Sequence, residues 1–156
     1  MEYIDINEAL TVYQKTIDAS GGGDMGIIKP DGIESILDFI QNDDYYPTMT
    51  EKVNALVHSL CTGHNFSDGN KRVALTLGTY LLFKNGYYWA ATTFLKRMED
   101  VVLCVAAGML SREDLLQYTH CVVEGIDYTE PLKIRLVNMI EEMMNSTNNS
   151  NITSKN

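Results

Sequence analysis

The chain is short of positive charge, of paired cysteines and of long apolar runs, and each shortage removes a class of protein. Lysine and arginine number 12 against 21 aspartates and glutamates, giving a formal net charge of −9 and a pI of about 4.7. Recognition of nucleic-acid phosphates needs a basic surface, so nucleic-acid binding is not expected as the main activity. An acidic surface favours a basic partner instead. Cys61, Cys104 and Cys121 lie far apart and form no Cys-x-x-Cys pair, so reduced, packed thiols are expected. No apolar run reaches the ~18 residues of a membrane span, and no membrane partner is expected. The opening "MEYIDINEAL" is acidic and lacks the basic stretch and apolar core of a signal peptide, so a cytoplasmic protein is expected. The histidines, His58, His64 and His120, show no ligand spacing such as His-Glu-x-x-His.

What is there reads almost entirely as helix. A chain of 156 residues, 45% hydrophobic and 21% charged, fits one globular domain. Ile6, Leu10, Tyr13 and Ile17 recur at helical spacing before Gly21-Gly22-Gly23. "MGIIKP" is a short apolar stretch ending at a proline, expected to be extended or a small hairpin. Ile33, Ile36, Leu37 and Ile40 share a face of the next helix, with Asp31 and Glu34 as cap-like acids. Thr48 and Glu51 match a capping box, followed by the stripe Val53, Leu56, Val57 and Leu60. "VALTLGTYLLF" is apolar on nearly every side, which predicts a helix buried at the centre of the domain. Two helices follow, over "TTFLKRMEDVVLCVAAG" and "SREDLLQYTH", the second started by Ser111 and Asp114. The last helix puts Leu132, Leu136, Met139, Ile140 and Met143 on one face, to pack on the core or on a second subunit. Residues 145–156, "NSTNNSNITSKN", are polar and of low complexity, and disorder is expected there.

One stretch concentrates the chemistry. "HNFSDGNKR", residues 64–72, lies in a loop whose end opens the central helix. A helix start presents free backbone N–H groups and a positive dipole end to an anion. Gly69 allows close approach of the backbone. Asn70 can cap the helix or bond a phosphate oxygen. Lys71 and Arg72 add charge, and arginine can grip phosphate with two bonds. Asp68 is a hard oxygen ligand suited to Mg²⁺ shared with substrate phosphates. His64 can take a proton from a hydroxyl near neutral pH. Together these are parts for nucleotide-dependent group transfer. Each residue also has an ordinary use: Asp68 and Asn70 as caps, Lys71 and Arg72 as a solvated turn, His64 as a loop histidine, or His64 with Asp68 as metal ligands.

"HNFSDGNKR" resembles the signature of the Fic/Doc (Fido) superfamily, whose general form is H-x-F-x-[DE]-[GA]-N-x-R. Lys71, in place of the usual glycine, resembles the death-on-curing (Doc) branch, and Leu75 stands where ordinary Fic proteins carry a second arginine. The likeness extends through "GIIKPDGIESIL", "YYPTMTEKVNALVHSLCTGHNFSDGNKRVALTLGTYLLFKNGY" and "VAAGMLSREDLLQY". It implies a mainly α, Fic-fold helical bundle with a short β-hairpin flap. The layout would be a single Fido domain over 1–144, with a Doc-like core at 1–120 and a C-terminal helical extension at 121–144. The resemblance makes His64 the general base, Asp68 the Mg²⁺ ligand, Gly69, Asn70, Lys71 and Arg72 the phosphate-binding loop, and Phe66 its buried anchor. Ile27, Ile28 and Lys29 would form a flap that docks the target segment by strand-like pairing. The substrates implied are ATP or another nucleoside triphosphate with Mg²⁺, and a protein hydroxyl, a translation elongation factor being the family expectation. Lys71 points to phosphoryl transfer. Gly69, where Doc has alanine, moves the loop towards the AMP-transferring pattern, so adenylylation is the alternative. A non-enzymatic partner-binding Fic-fold module is the alternative of another class. Asn138 and Glu142 have the spacing of an inhibitory-helix motif, [S/T]-x-x-x-E-[G/N], but with asparagine for Ser/Thr and Met143 after the glutamate. A separate antitoxin protein is therefore the natural expectation.

Overall fold

A computed structural model describes residues 1–21, 26–27 and 29–153, the side chains of residues 152 and 153 excepted. Its described residues form seven helices: α1 (Ile6–Ala19), α2 (Pro30–Phe39), α3 (Met49–Thr62), α4 (Asn70–Lys84), α5 (Tyr88–Ala106), α6 (Arg112–Glu124) and α7 (Glu130–Thr153). The chain is thus mainly α. Among the described residues the one β feature is an isolated antiparallel bridge between Ile27 and Phe66. The expected hairpin does not appear there, because Gly26, Ile27 and Lys29 pair with the 64–72 loop rather than with each other. Ile28, expected in the flap, lies outside the described residues.

Local signals set the helix starts. Asp5 accepts from the Glu8 N–H while Glu8 accepts from the Asp5 N–H, closing a capping box on α1. Thr48 and Glu51 do the same for α3, and Ser111 caps α6 by accepting from the Asp114 N–H. The start of α2 differs from the sequence expectation. Its N-cap is Lys29, without a side-chain cap bond, and Pro30 opens the helix with Asp31 in the first turn. Proline needs no N–H partner there, so a capping acid is dispensable. α5 also starts earlier than its pattern suggested, at Tyr88.

α4 packs against α1, α3 and α5, and Val73, Ala74, Leu77, Leu81 and Leu82 are fully buried along it. An all-round apolar helix has nowhere else to go. It is approached closely at Gly78, where an added Cβ would lie 2.8 Å from Phe94 and 2.9 Å from Val57. The α1–α4 pair is further tied at one end, where Glu8 accepts from Lys84 Nζ at 2.6 Å and from the Tyr80 hydroxyl at 3.0 Å. That contact holds the Glu8 carboxyl below its usual range.

α6 and α7 are tied by two bonds: Tyr118 donates to the Leu132 carbonyl at 2.8 Å, and Arg135 donates to Asp114 at 2.8 Å. Leu132 and Met139 are buried, and Leu136, Ile140 and Met143 pack on the core, as their shared face required. The boundary expected at residue 120 falls inside α6. Disorder was expected from Asn145, yet α7 continues as helix to Thr153. Its packed turns remove the nucleation cost, so the polar residues beyond need only propagate. Residues 145–151 are exposed and gain no packing of their own.

Gly78→Ala is expected to destabilise the domain by about 1–3 kcal/mol through overpacking against Val57 and Phe94, read as a lower urea midpoint. The amides of residues 145–151 are expected to exchange with solvent far faster than those around Met139, measured by hydrogen exchange.

Candidate active site

The 64–72 loop links the end of α3 to the start of α4, and its middle is pinned into the core. Phe66 is 2% exposed and stacks on Tyr13 of α1, ring centroids 4.2 Å apart. The side-chain amide of Asn70 clasps the same residue: Asn70 Nδ2 donates to the Phe66 carbonyl at 2.8 Å, and the Phe66 N–H donates to Asn70 Oδ1 at 3.2 Å. Asn70 therefore neither caps α4 nor offers its amide freely to a ligand. The N-cap is Gly69, at φ +79°, with no side chain to give. A Cβ there would also meet Ile17 at 2.7 Å. The first-turn N–H groups of α4 are consequently left for solvent or an anion.

Two anchors that follow His64 in the chain fix this part of the loop. Asn65 is 2% exposed and fills a slot made by Gly32 and Gly63. Its Nδ2 lies 2.7 Å from where a Cβ on Gly63 would sit, and a Cβ on Gly32 would collide with its Oδ1. On the outer side, Gly26 and Ser67 exchange bonds: the Ser67 N–H donates to the Gly26 carbonyl at 2.8 Å and the Gly26 N–H to Ser67 Oγ at 3.0 Å. Just before these anchors His64 adopts φ +49°, the one positive φ at a non-glycine among the described residues. Such a conformation costs roughly 1–3 kcal/mol and persists where the surroundings over-determine it, commonly at functional sites.

A cavity of about 550 Å³ collects the chemistry. His64, Ser67, Asp68, Gly69, Lys71 and Arg72 line it, over a wall that includes Cys61. The structure thus brings His64, Asp68, Gly69, Asn70, Lys71 and Arg72 together, with Phe66 buried beneath. Ile27 and Lys29 border the loop through the backbone pairing but do not line the cavity. The Asp68 carboxylate accepts from the Gly69 N–H at 2.7 Å and from Arg72 Nη2 at 3.2 Å. Its side chain is 53% exposed, so a cation can reach it once Arg72 turns to a ligand. Among the described residues no three His, Cys, Asp or Glu side chains cluster as a metal site. One carboxylate beside an anion cradle suits Mg²⁺ carried in with phosphate oxygens, so the residues present fit that ion. Burial pushes the Cys61 thiol up to about 12, against the opposing charge of Lys71. That thiol is no nucleophile at neutral pH.

Arg72 also borders a second cavity, of about 700 Å³, between α1 and α5. Leu75 forms part of its floor and Lys15 and Lys96 part of its walls. Leu75, which stands in place of a second arginine, is 8% exposed and packs on the core. Asn138 and Glu142 on α7 line neither cavity and are exposed.

Sequence reasoning missed Tyr13, Gly32, Gly63 and Asn65 as site-building residues. Tyr13 was visible only as one member of an apolar stripe. The glycines and Asn65 carried no local signal, because their role is mutual fit between segments more than 30 residues apart. Asn70→Ala would strand both backbone groups of Phe66, and a stability loss of about 1–3 kcal/mol is expected, read from chemical denaturation.

Comparison with known proteins agrees with this geometry. A family model described as the Fic/DOC family matches residues 3–82, which include the whole 64–72 loop. A curated relative, "Toxin Doc" of Mycolicibacterium smegmatis, is 40% identical over 63 residues, covering 40% of this chain and 48% of the relative. The matched segment thus spans about half the length of that relative. No helix among the described residues is long and apolar enough to cross a membrane. With its loop, buried aromatic and open helix start all inside the matched segment, the chain belongs to the Fic/DOC family.

Proposed function

We propose that the protein transfers the γ-phosphoryl group of a nucleoside triphosphate, ATP in the first instance, to a hydroxyl of a target protein. The observation that carries this reading is the single cavity that gathers His64, Asp68, Lys71 and Arg72 at the uncapped start of α4. The target hydroxyl attacks the γ-phosphorus and His64 takes its proton. The bond from that phosphorus to the β–γ bridging oxygen breaks, and the nucleoside diphosphate leaves. The N–H groups opening α4 and the Arg72 guanidinium hold phosphate oxygens, where fixed donors act on the charge that spreads in the transition state. Asp68 would hold Mg²⁺, which would supply charge neutralisation at the phosphates. Ile27 and Lys29 lie where a target segment could pair alongside the loop.

Adenylyl transfer is the second reading, and Gly69 favours it. Its φ of +79° and its contact with Ile17 make alanine, the Doc residue, a poor substitute here. In that reaction the hydroxyl attacks the α-phosphorus and pyrophosphate leaves. A non-enzymatic binding module is the outcome if the cavity holds no nucleotide.

The relative's name supports a toxin role, and a toxin needs restraint. The exposed positions of Asn138 and Glu142 away from both cavities favour a separate antitoxin chain over inhibition by α7. A cytoplasmic setting and a translation factor as target belong to the same reading.

The test incubates the protein with Mg²⁺, a cell lysate and ATP labelled at either the γ- or the α-phosphate, beside His64→Ala. Label on a protein from the γ-position alone, lost in His64→Ala, is the expected result. Label from the α-position alone would replace phosphoryl by adenylyl transfer. No nucleotide binding by the purified protein would favour the binding module.

A further inference from the structure

The geometry points to Lys29 as the positioning residue of His64, a role separate from any contact with the target and resting on the reading of His64 as the general base. Lys29 touches the loop on both sides of that histidine. Its Nζ donates to the carbonyl of Gly63, the residue before, at 3.2 Å. Its backbone N–H donates to the carbonyl of Asn65, the residue after, at 3.1 Å. One residue thus staples the two peptide flanks of His64 across a distance of 34 positions in the chain.

The staple sits where the backbone most needs one. His64 holds φ +49°, which a β-carbon resists. The flank after it is immobilised by Asn65 in its glycine slot and by Phe66 on Tyr13. The flank before it is held only by the last turn of α3, through the Gly63 N–H to the Ser59 carbonyl at 2.9 Å. Helix ends fray, and Gly63 has no side chain to secure it. The Lys29 ammonium closes this gap, and as a cation at the carbonyl end of α3 it also complements the helix dipole. Lys29 is itself fixed, since it is the N-cap of α2 and accepts from the Gly32 and Ile33 N–H groups. The imidazole is thereby referred to α2 and α3 together, although His64 itself is exposed.

The test compares Lys29→Met, which keeps the stem and the backbone bond, with Lys29→Arg and Lys29→Gln, which keep a donor. Two readouts are taken. The first is the imidazole Cε1–Hε1 resonance of His64, identified by its loss in His64→Ala, with His58 and His120 as internal controls. The second is the labelling rate, resolved into kcat and the KM for ATP and for the labelled target protein. In Lys29→Met the His64 resonance is expected to shift or broaden while those of His58 and His120 stay. The kcat should fall about tenfold with KM little changed, as a base moves out of line. Lys29→Arg should restore both, and Lys29→Gln in part. An unmoved His64 resonance in Lys29→Met overturns the inference, and so does a change confined to the KM for the target protein, which would make Lys29 a docking residue. If the wild-type protein shows no His64-dependent transfer, the proposed function fails by itself. The resonance comparison then decides the staple alone. Equal melting temperatures for wild type and Lys29→Met exclude a global folding effect.

Discussion

Burying Phe66 in the middle of a polar loop is the constraint on which the rest of the structure depends. His64, Ser67, Asp68 and Lys71 around it are exposed, and the aromatic ring is, with Asn65, the loop's hold on the interior. The ring reaches Tyr13, and that contact sets how close α1 lies to the start of α4. Because an aromatic cannot be buried without its peptide, the Phe66 N–H and carbonyl come in with it and must be satisfied. Asn70 meets that demand. The consequence is functional: with Asn70 spent on the loop, α4 begins at a glycine and keeps its amides open towards the cavity.

A protein of net charge −9 carries its cations where an anion would need them. Lys71 and Arg72 open α4, and Lys15 and Lys96 stand around the adjoining cavity, with Arg72 shared between the two. The global acidity argues about solubility and partners, whereas the local field at the loop is set by these few side chains and the dipole of α4. The Asp68–Arg72 pair is exposed and individually weak. It therefore holds both groups near the helix start without locking either away from a ligand.

The α7 helix illustrates the reach of packing beyond composition. Its last stretch is rich in asparagine and serine, which are poor helix formers. It is helical because Leu132, Met139 and their neighbours seat the preceding turns on the core. The polar outer turns hold only as an extension of that seat.

What the sequence by itself determined were the features that depend on near neighbours in the chain. The capping box at Thr48, the cap at Ser111, the amphipathic stripe of α7, the all-round apolar α4 and the nine-residue loop with its aromatic were all legible, because each is a spacing of a few residues. Tertiary structure alone decided the rest. It put Asn65 against Gly32, Phe66 against Tyr13 and Lys29 across His64, and it paired Gly26, Ile27 and Lys29 with the loop. It also settled that Asn70 serves the loop's own backbone and that Gly69 caps α4. The contacts of Asn65, Phe66 and Lys29 follow from steric fit and hydrogen-bond satisfaction between segments remote in sequence, and no local pattern encodes which distant partner will fill a slot or claim a donor.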